Sequence, residues 1–343
     1  MKTEFVLLAA AVVLAAALVF SDGQSLAAPA RYVAVTFDDL PLQPHYDLAT
    51  SRALTAKLLQ TLTANRIPAI GFVNEGKLHT NNASELEART GLLKMWLDAG
   101  LGLGNHSYSH LRYYNATLEQ MQADTLRGEV VTKKLLAERG KTLRYFRHPT
   151  LNTGKDLAAK EAFEKFLASH GYTVAPVTID NSEWLFASEY AKARQRGDAA
   201  TMKKVADAYV PYMEEVFAFY ERLSRDTLGY EIKQTLLVHA NALNAEHFGE
   251  IVAMLKRRGY QFISLDEALT DKAYSLPDTY TGPVGISWLQ RWAITKGGQM
   301  RPEPELPPVM KAFDDPQVSG LSYKSGPPQP ASKKSARKQG KQQ

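Results

Sequence analysis

The sequence predicts an α/β protein built on one parallel sheet, open or closed into a barrel, and three observations carry that expectation. Short β-rich runs alternate with helix-periodic stretches, and the strand candidates end one after another in polar clusters. The chain has 343 residues, 45% of them hydrophobic, enough to bury one large core or two small ones. Such a composition excludes a disordered protein.

The first candidate strand is RYVAVTF, residues 31–37, followed by Leu54, Leu58, Leu59 and Leu62 at helical spacing. IPAIGFV (67–73) comes next, then a second helix carrying Leu92, Leu93, Trp96 and Leu97. The remaining strand candidates are LGLGN (101–105), LRYF (143–146), YTVAPVTI (172–179), QTLLVH (234–239) and YQFIS (260–264). Their lengths and their β-branched and aromatic content favour strands. Seven strands joined by helical crossovers imply parallel pairing, since a crossover carries the chain back to the same end of the sheet. The interval between the fifth and sixth strands breaks the rhythm. It contains ATMKKVADAYVPYMEEVFAFYERL and predicts an inserted helical hairpin over about residues 186–228, with Gly197 near its turn. No internal repeat is visible.

The chain opens with Lys2, an apolar run from Phe5 to Phe20 and the small residues of SDGQSLAAPA. This pattern predicts a secretory signal over residues 1–30, cut between Ala27 and Ala30. An uncleaved anchor is the alternative, but the run is short for a span of roughly 20 residues. The mature chain is then expected to have no transmembrane span. There is no cysteine, hence neither a disulfide framework nor a lipidated thiol. Export without disulfides points to a bacterial periplasm, with an extracellular location second.

The formal charge of +5 is concentrated at the C-terminus, in Lys333, Lys334, Arg337, Lys338 and Lys341. Without those five, 36 basic side chains face 36 acidic ones, so the body offers no nucleic-acid footprint. Trp288 and Trp292, four apart, predict a packed extension over residues 276–300. Residues 301–343 hold eight of the 17 prolines and are expected to form a disordered tail, either simply solvated or touching anionic envelope polymers.

The first strand ends in Asp38-Asp39, the third in NHSYSH, the fourth in RHP, the fifth in DNSEW and the sixth in HANALN. Parallel α/β folds gather the carboxyl ends of their strands at one face, so these clusters are expected to converge. His106 and His110, four apart, can address one point if the segment takes a helical turn, and one added carboxylate completes a metal set that leaves a position for water. A cation there would offset the desolvation of one aspartate. The other aspartate would serve as general base. The competing explanation is a pair of turn or N-cap aspartates and two surface histidines. Singly, each motif is weak; position at strand ends sets Asp38-Asp39 apart from Asp314-Asp315 in the tail.

In this order, TFDD, HSYSH, FRHP, DNSEW and LLVH resemble the five motifs of the polysaccharide deacetylase (NodB-homology) family, carbohydrate esterase family four. The resemblance spans about residues 31–270 and implies a catalytic domain over 31–275. The implied fold is a distorted seven-stranded (β/α) barrel of the NodB-homology type, with a helical insertion between strands five and six. The implied reaction is removal of acetyl groups, N-linked or O-linked, from a sugar polymer or oligomer by metal-activated water. On this resemblance Asp39, His106 and His110 would hold Zn2+ or another divalent ion such as Co2+ or Ni2+. Asp38 would be the base, paired with Arg147, and His239 the acid that protonates the leaving group. Leu237 and Trp184 would border the acetyl pocket, Thr150 would supply an oxyanion N–H, and Tyr108 could stack on a sugar.

Two departures are visible. The third motif runs Arg147-His148-Pro149-Thr150-Leu151-Asn152-Thr153-Gly154 and lacks the family's aromatic. In the fourth, Glu183 stands where an aspartate is usual, so either Glu183 or Asp180 would orient His239. These changes keep two alternatives open: an amidohydrolase acting on a small non-sugar C–N bond, and a catalytically silent glycan- or metal-binding protein. His45, His79, His170 and His247 are expected at the surface or in loops, and His148 is expected to be turned away from the site because its neighbour Arg147 faces it.

Overall fold

The computed structural model describes residues 30–79 and 82–311; residues 1–29 of the expected signal segment and residues 312–343 of the expected tail lie outside them. Among the described residues, seven strands form: β1 (Arg31–Gln43), β2 (Ile70–Val73), β3 (Gly102–Asn105), β4 (Tyr145–Phe146), β5 (Thr173–Val174), β6 (Gln234–Asn241) and β7 (Tyr260–Phe262). All pair in parallel, in the spatial order β5-β4-β3-β2-β1-β6, with β7 beside β1. Past β5 the chain comes back against β6, where Ile179 bridges Leu236 and the Leu237 N–H donates to the Ile179 carbonyl at 3.1 Å. The sheet is thus curled in the manner of a (β/α) barrel, as expected.

Strand limits differ from the sequence expectation for local reasons. β2 begins only after Pro68, which has no N–H for the ladder, and Pro176 cuts the expected fifth strand to two residues. β1 continues through both aspartates to Gln43, with its register broken between Phe37 and Leu40 against β2 and between Asp38 and Gln43 against β6. A regular strand sends successive side chains to opposite faces. The break, with Asp39 at φ 67, suspends that alternation where the two carboxylates occur.

The helices are α1 (Leu48–Ala64), α2 (Ala83–Asp98), α3 (Leu118–Arg127), α4 (Val130–Ala137), α5 (Leu157–Ser169), α6 (Glu183–Gln195), α7 (Ala199–Leu228), α8 (Ala242–Arg257), α9 (Leu265–Ala268), α10 (Trp288–Thr295) and α11 (Pro308–Lys311). Side-chain caps begin several of them, among them Asp47 for α1, Thr117 with Gln120 as a capping box for α3, and Asp198 for α7. None of the helices among the described residues is long and apolar enough to cross a membrane.

The core lies between β1 and the α1–α2–α8 layer, where Phe37 packs edge-on between Trp96 and Phe248 at 5.4 and 5.3 Å. α6 and α7 turn at Gly197, whose φ of 70 suits glycine, and pack through Phe186 on Tyr209 and Tyr212. Trp288 and Trp292 of α10 are buried, the latter against Tyr274. Residues 301–311, expected in the disordered tail, are instead placed on α7. Met310 is buried, Glu303 accepts from the Tyr220 hydroxyl, and Arg301 pairs with Asp226; these anchors outweigh the proline-rich composition.

Replacing Phe37 with alanine is expected to cost about 3–5 kcal/mol, read as a lower midpoint in urea unfolding. A loss below about 1 kcal/mol would contradict the packing described.

Candidate functional site

The carboxyl ends of β1, β3 and β6 and the loops after β4 and β5 surround a cavity of about 330 Å³. Asp38, Asp39, His106, His110, Thr150, Asp180, Trp184, Leu237 and His239 all line it. Of the six non-glycine residues at positive φ among the described residues, five lie here: Asp39, Ser107, His110, Thr150 and Leu151. Each such conformation costs on the order of 1–3 kcal/mol, so the surrounding contacts must over-determine it. For the loop after β3, those contacts begin with Asn105, whose Oδ1 accepts from Ser107 N–H at 2.7 Å while its amide donates to Thr125 and Tyr172. The Asn74 amide donates to the His106 carbonyl.

Asp39 Oδ1 lies 3.6 Å from His110 Nε2 and 3.8 Å from His106 Nε2. Ligand atoms about 2.0–2.2 Å from a tetrahedral ion stand roughly 3.4 Å apart, so this donor set fits a divalent metal. One ligand atom from each of the three residues falls within 4.8 Å of the others. His106 Nδ1 is 2.8 Å from the Arg147 carbonyl, which fixes the tautomer and leaves Nε2 to face the aspartate. Burial pushes both imidazoles down, toward the neutral form that ligates metals. Burial also acts to raise Asp39, but Lys77, His110 and His106 outweigh it and hold the carboxyl well below its ordinary range.

Lys77, 3.2 Å from Asp39 Oδ1, was missed in the sequence. Its signal was available: Asn74-Glu75-Gly76-Lys77 is the polar cluster ending the second strand.

Asp38 occupies the opposite side. Its Oδ1 is 3.4 Å from Arg147 Nη1 and its Oδ2 is 3.6 Å from His106 Nε2. Arg147 is fully buried, donating to Thr36 Oγ1 at 2.9 Å beneath the Phe72 ring. Burial raises the Asp38 carboxyl to about 6, against the lowering pull of Arg147. His239 Nδ1 sits 2.7 Å from Glu183 Oε2. The other Glu183 oxygen accepts from the Asn241 and Asn244 amides. Burial alone would depress the imidazolium, but the bond to Glu183 and the nearby carboxylates raise it to about 9. Between the two acids left open by the sequence, Glu183 is the one in contact with His239. It stands in the first turn of α6, oriented by Asn181, which accepts from its N–H and donates to Leu237 O.

The divergent third motif is held from the far end of the chain. Arg291, fully buried, donates to the Leu151 carbonyl, to Thr153 Oγ1 at 3.1 Å and to the Ile286 carbonyl at 3.0 Å, and pairs with Asp278. Asn152 donates to Gly282 O, and Arg112 to Pro283 O. A Cβ on Gly285 would overlap the Thr150 carbonyl. Neither Arg291 nor Gly285 carries a motif, so nothing local in the sequence marks them.

Tyr108, expected on the substrate side, is a correction. The positive φ of Ser107 precedes it, and its ring packs against Arg127 at 3.6 Å and His79 at 5.6 Å instead of lining the cavity. His148 is buried between Phe146 and Phe163. His45, His79, His170 and His247 lie outside the Asp39–His106–His110 group.

Residues 26–175 match the sequence profile of the family described as "Polysaccharide deacetylase". No curated protein matches the chain. Among solved structures, it is similar to PdaA of Bacillus subtilis, a family 4 carbohydrate esterase, at 18% identity over 70% of this chain and 81% of that one, with a TM-score of 0.45. A family 4 carbohydrate esterase from Streptomyces lividans in complex with acetate shows 23% identity over 69% and 95%, TM-score 0.41. A pseudoenzyme of that family from Bacillus anthracis shows 14% identity over 70% and 66%, TM-score 0.42. Over residues 26–175 the chain is thus similar to a polysaccharide deacetylase domain.

Gly285→Ala is expected to displace the Thr150–Leu151 segment while leaving the Asp–His–His group intact. Protection of the residue 150–154 amides against hydrogen exchange should fall at least about tenfold, whereas that of the residue 105–110 amides should stay within about twofold. Equal losses in both would contradict a local displacement.

Proposed function

We propose that this chain is a metal-dependent hydrolase that removes acetyl groups, N-linked and also O-linked, from a sugar polymer or oligomer. The observation that supports it most is the pair of neighbouring carboxylates on one cavity in opposite electrostatic settings. Asp39 faces two imidazoles and a lysine, while Asp38 is buried against Arg147 with its proton affinity raised.

Asp39, His106 and His110 would hold a divalent ion, zinc by the donor set, with cobalt or nickel as substitutes. When bound, such an ion acts as a Lewis acid toward a carbonyl oxygen and makes water more acidic. Asp38 takes the proton of the attacking water, and Arg147 keeps that carboxylate oriented. His239, held protonated by Glu183, gives its proton to the departing amine or alcohol. Leu237 and Trp184 enclose the acetyl methyl, and Thr150 brings the backbone of the third motif to the cavity wall. Asp180 adds negative charge near Asp38 and so favours its protonated form at low pH. The Lys2-led apolar stretch supports export, with a periplasm as the location of the glycan.

Asp38→Asn is expected to lower acetate release at least about 100-fold while metal content by elemental analysis stays near one ion per chain. Unchanged release would refute the proposed base. Chelation should abolish release, and added zinc should restore it.

The rate should depend on pH with two limbs. Below the Asp38 pKa the carboxyl is protonated and cannot accept a proton, so activity falls as pH drops through about 6, or lower once a cation sits beside it. Above about 9, His239 has lost the proton it must donate, so activity falls again. A profile in which Glu183→Gln leaves the alkaline limb in place would contradict this assignment.

A further inference from the structure

Arg112 lines the same cavity as Asp39, His106 and His110, together with Thr150, Leu151, Val284 and Gly285. The proton transfers at Asp38 and His239 do not use it. Its Nη2 donates to the Pro283 carbonyl, its Nε is shielded from solvent without a partner, and it forms no ion pair among the described residues. Every other buried or half-buried arginine among those residues pairs with a carboxylate, as Arg31 does with Glu231, Arg89 with Glu85 and Arg258 with Glu221. A guanidinium taken partly out of water with no counter-charge is costly, and an anion entering the cavity would supply the missing charge. The nearest-lying acids are otherwise engaged: Asp38 faces Arg147, and Asp39 faces Lys77.

The Pro283 carbonyl fixes one edge of the guanidinium and leaves Nη1 and the second Nη2 hydrogen for a ligand, a planar pair of donors that matches a carboxylate. Asp38, Asp39 and Asp180 on the same cavity disfavour a doubly charged phosphate. Arg112 follows His110 by two residues, so their Cα atoms lie within about 7 Å, and an anion at Arg112 belongs to the sugar whose acetyl group faces the histidines. We propose that Arg112 is a specificity-determining residue that binds a carboxylate on the acetylated sugar itself, so that the substrate is an acidic sugar of the aminohexuronate kind. This rests on the deacetylase reading and gives its substrate a charge.

The test compares kcat/KM for an oligomer of N-acetylated aminohexuronic acid with that for its methyl ester, in the wild type, Arg112→Met and Arg112→Lys. The wild type should favour the free acid at least about tenfold, carried mainly by KM. The preference should fall to within about twofold of unity in Arg112→Met and stay above about threefold in Arg112→Lys, which keeps the charge. A wild-type ratio near one, or an unchanged ratio in Arg112→Met, overturns the proposal. So does acetate inhibition that Arg112→Met abolishes while the ratio stays put, because Arg112 would then hold the product. Where Arg112→Met folds poorly, the wild type decides: its preference should at least halve between about 0.05 and 0.5 M salt, and a salt-independent ratio overturns the proposal. Should the wild type release acetate from neither oligomer, the deacetylase reading fails; calorimetric binding that favours the free acid at least about tenfold, with the preference lost in Arg112→Met, would still support the carboxylate site, and equal or absent binding would overturn it.

Discussion

Two adjacent aspartates buried over the same cavity are the constraint on which the rest of the structure depends. A regular strand cannot present both, because neighbouring side chains alternate between faces; the register break after Phe37 is what turns them to one side. Two unpaired anions at the end of an apolar strand would be strongly destabilising. Arg147 lies against Asp38 and Lys77 against Asp39, with His106 Nε2 within 3.8 Å of both carboxylates and His110 beside Asp39 alone. The difference in compensation separates the two carboxyls in proton affinity, and so separates the work each can do.

Holding those compensating groups in place draws on most of the chain. The backbone is in the left-handed region at Asp39, Ser107, His110, Thr150 and Leu151, and each position is backed by partners from another element. Asn74 and Asn105 brace the histidine loop. Arg291, some 140 residues further along the chain than Leu151, braces the third motif. The last segments of the chain thus shape a cavity wall, and their contribution is geometric: a fully buried guanidinium satisfies backbone carbonyls that no neighbouring strand reaches.

The helical insertion is tied into the same arrangement. Its first helix begins at Glu183, which reaches His239 with one more methylene than an aspartate would have, and the Asn241 and Asn244 amides fix its other oxygen. Tyr209 of the second helix donates in turn to Asn244. One helix therefore supports the acid side of the cavity with its first turn.

What the sequence by itself determined is the order and type of the elements and the convergence of polar groups at strand ends. Hydrophobic periodicity is local, so the seven strands and their crossovers could be read from runs such as RYVAVTF and QTLLVH, and parallel pairing followed from the crossovers. Asp38, Asp39, His106, His110 and His239 were legible as candidates because each directly ends a strand or follows one in a motif. Only the tertiary structure decided where side chains point and what meets across long separations. Tyr108 turned outward because Ser107 takes a left-handed conformation, and Lys77 came into play because a short turn after β2 brings it to Asp39. Arg291 and Gly285 meet the third motif only after the whole sheet has closed behind it, a contact that no local pattern encodes.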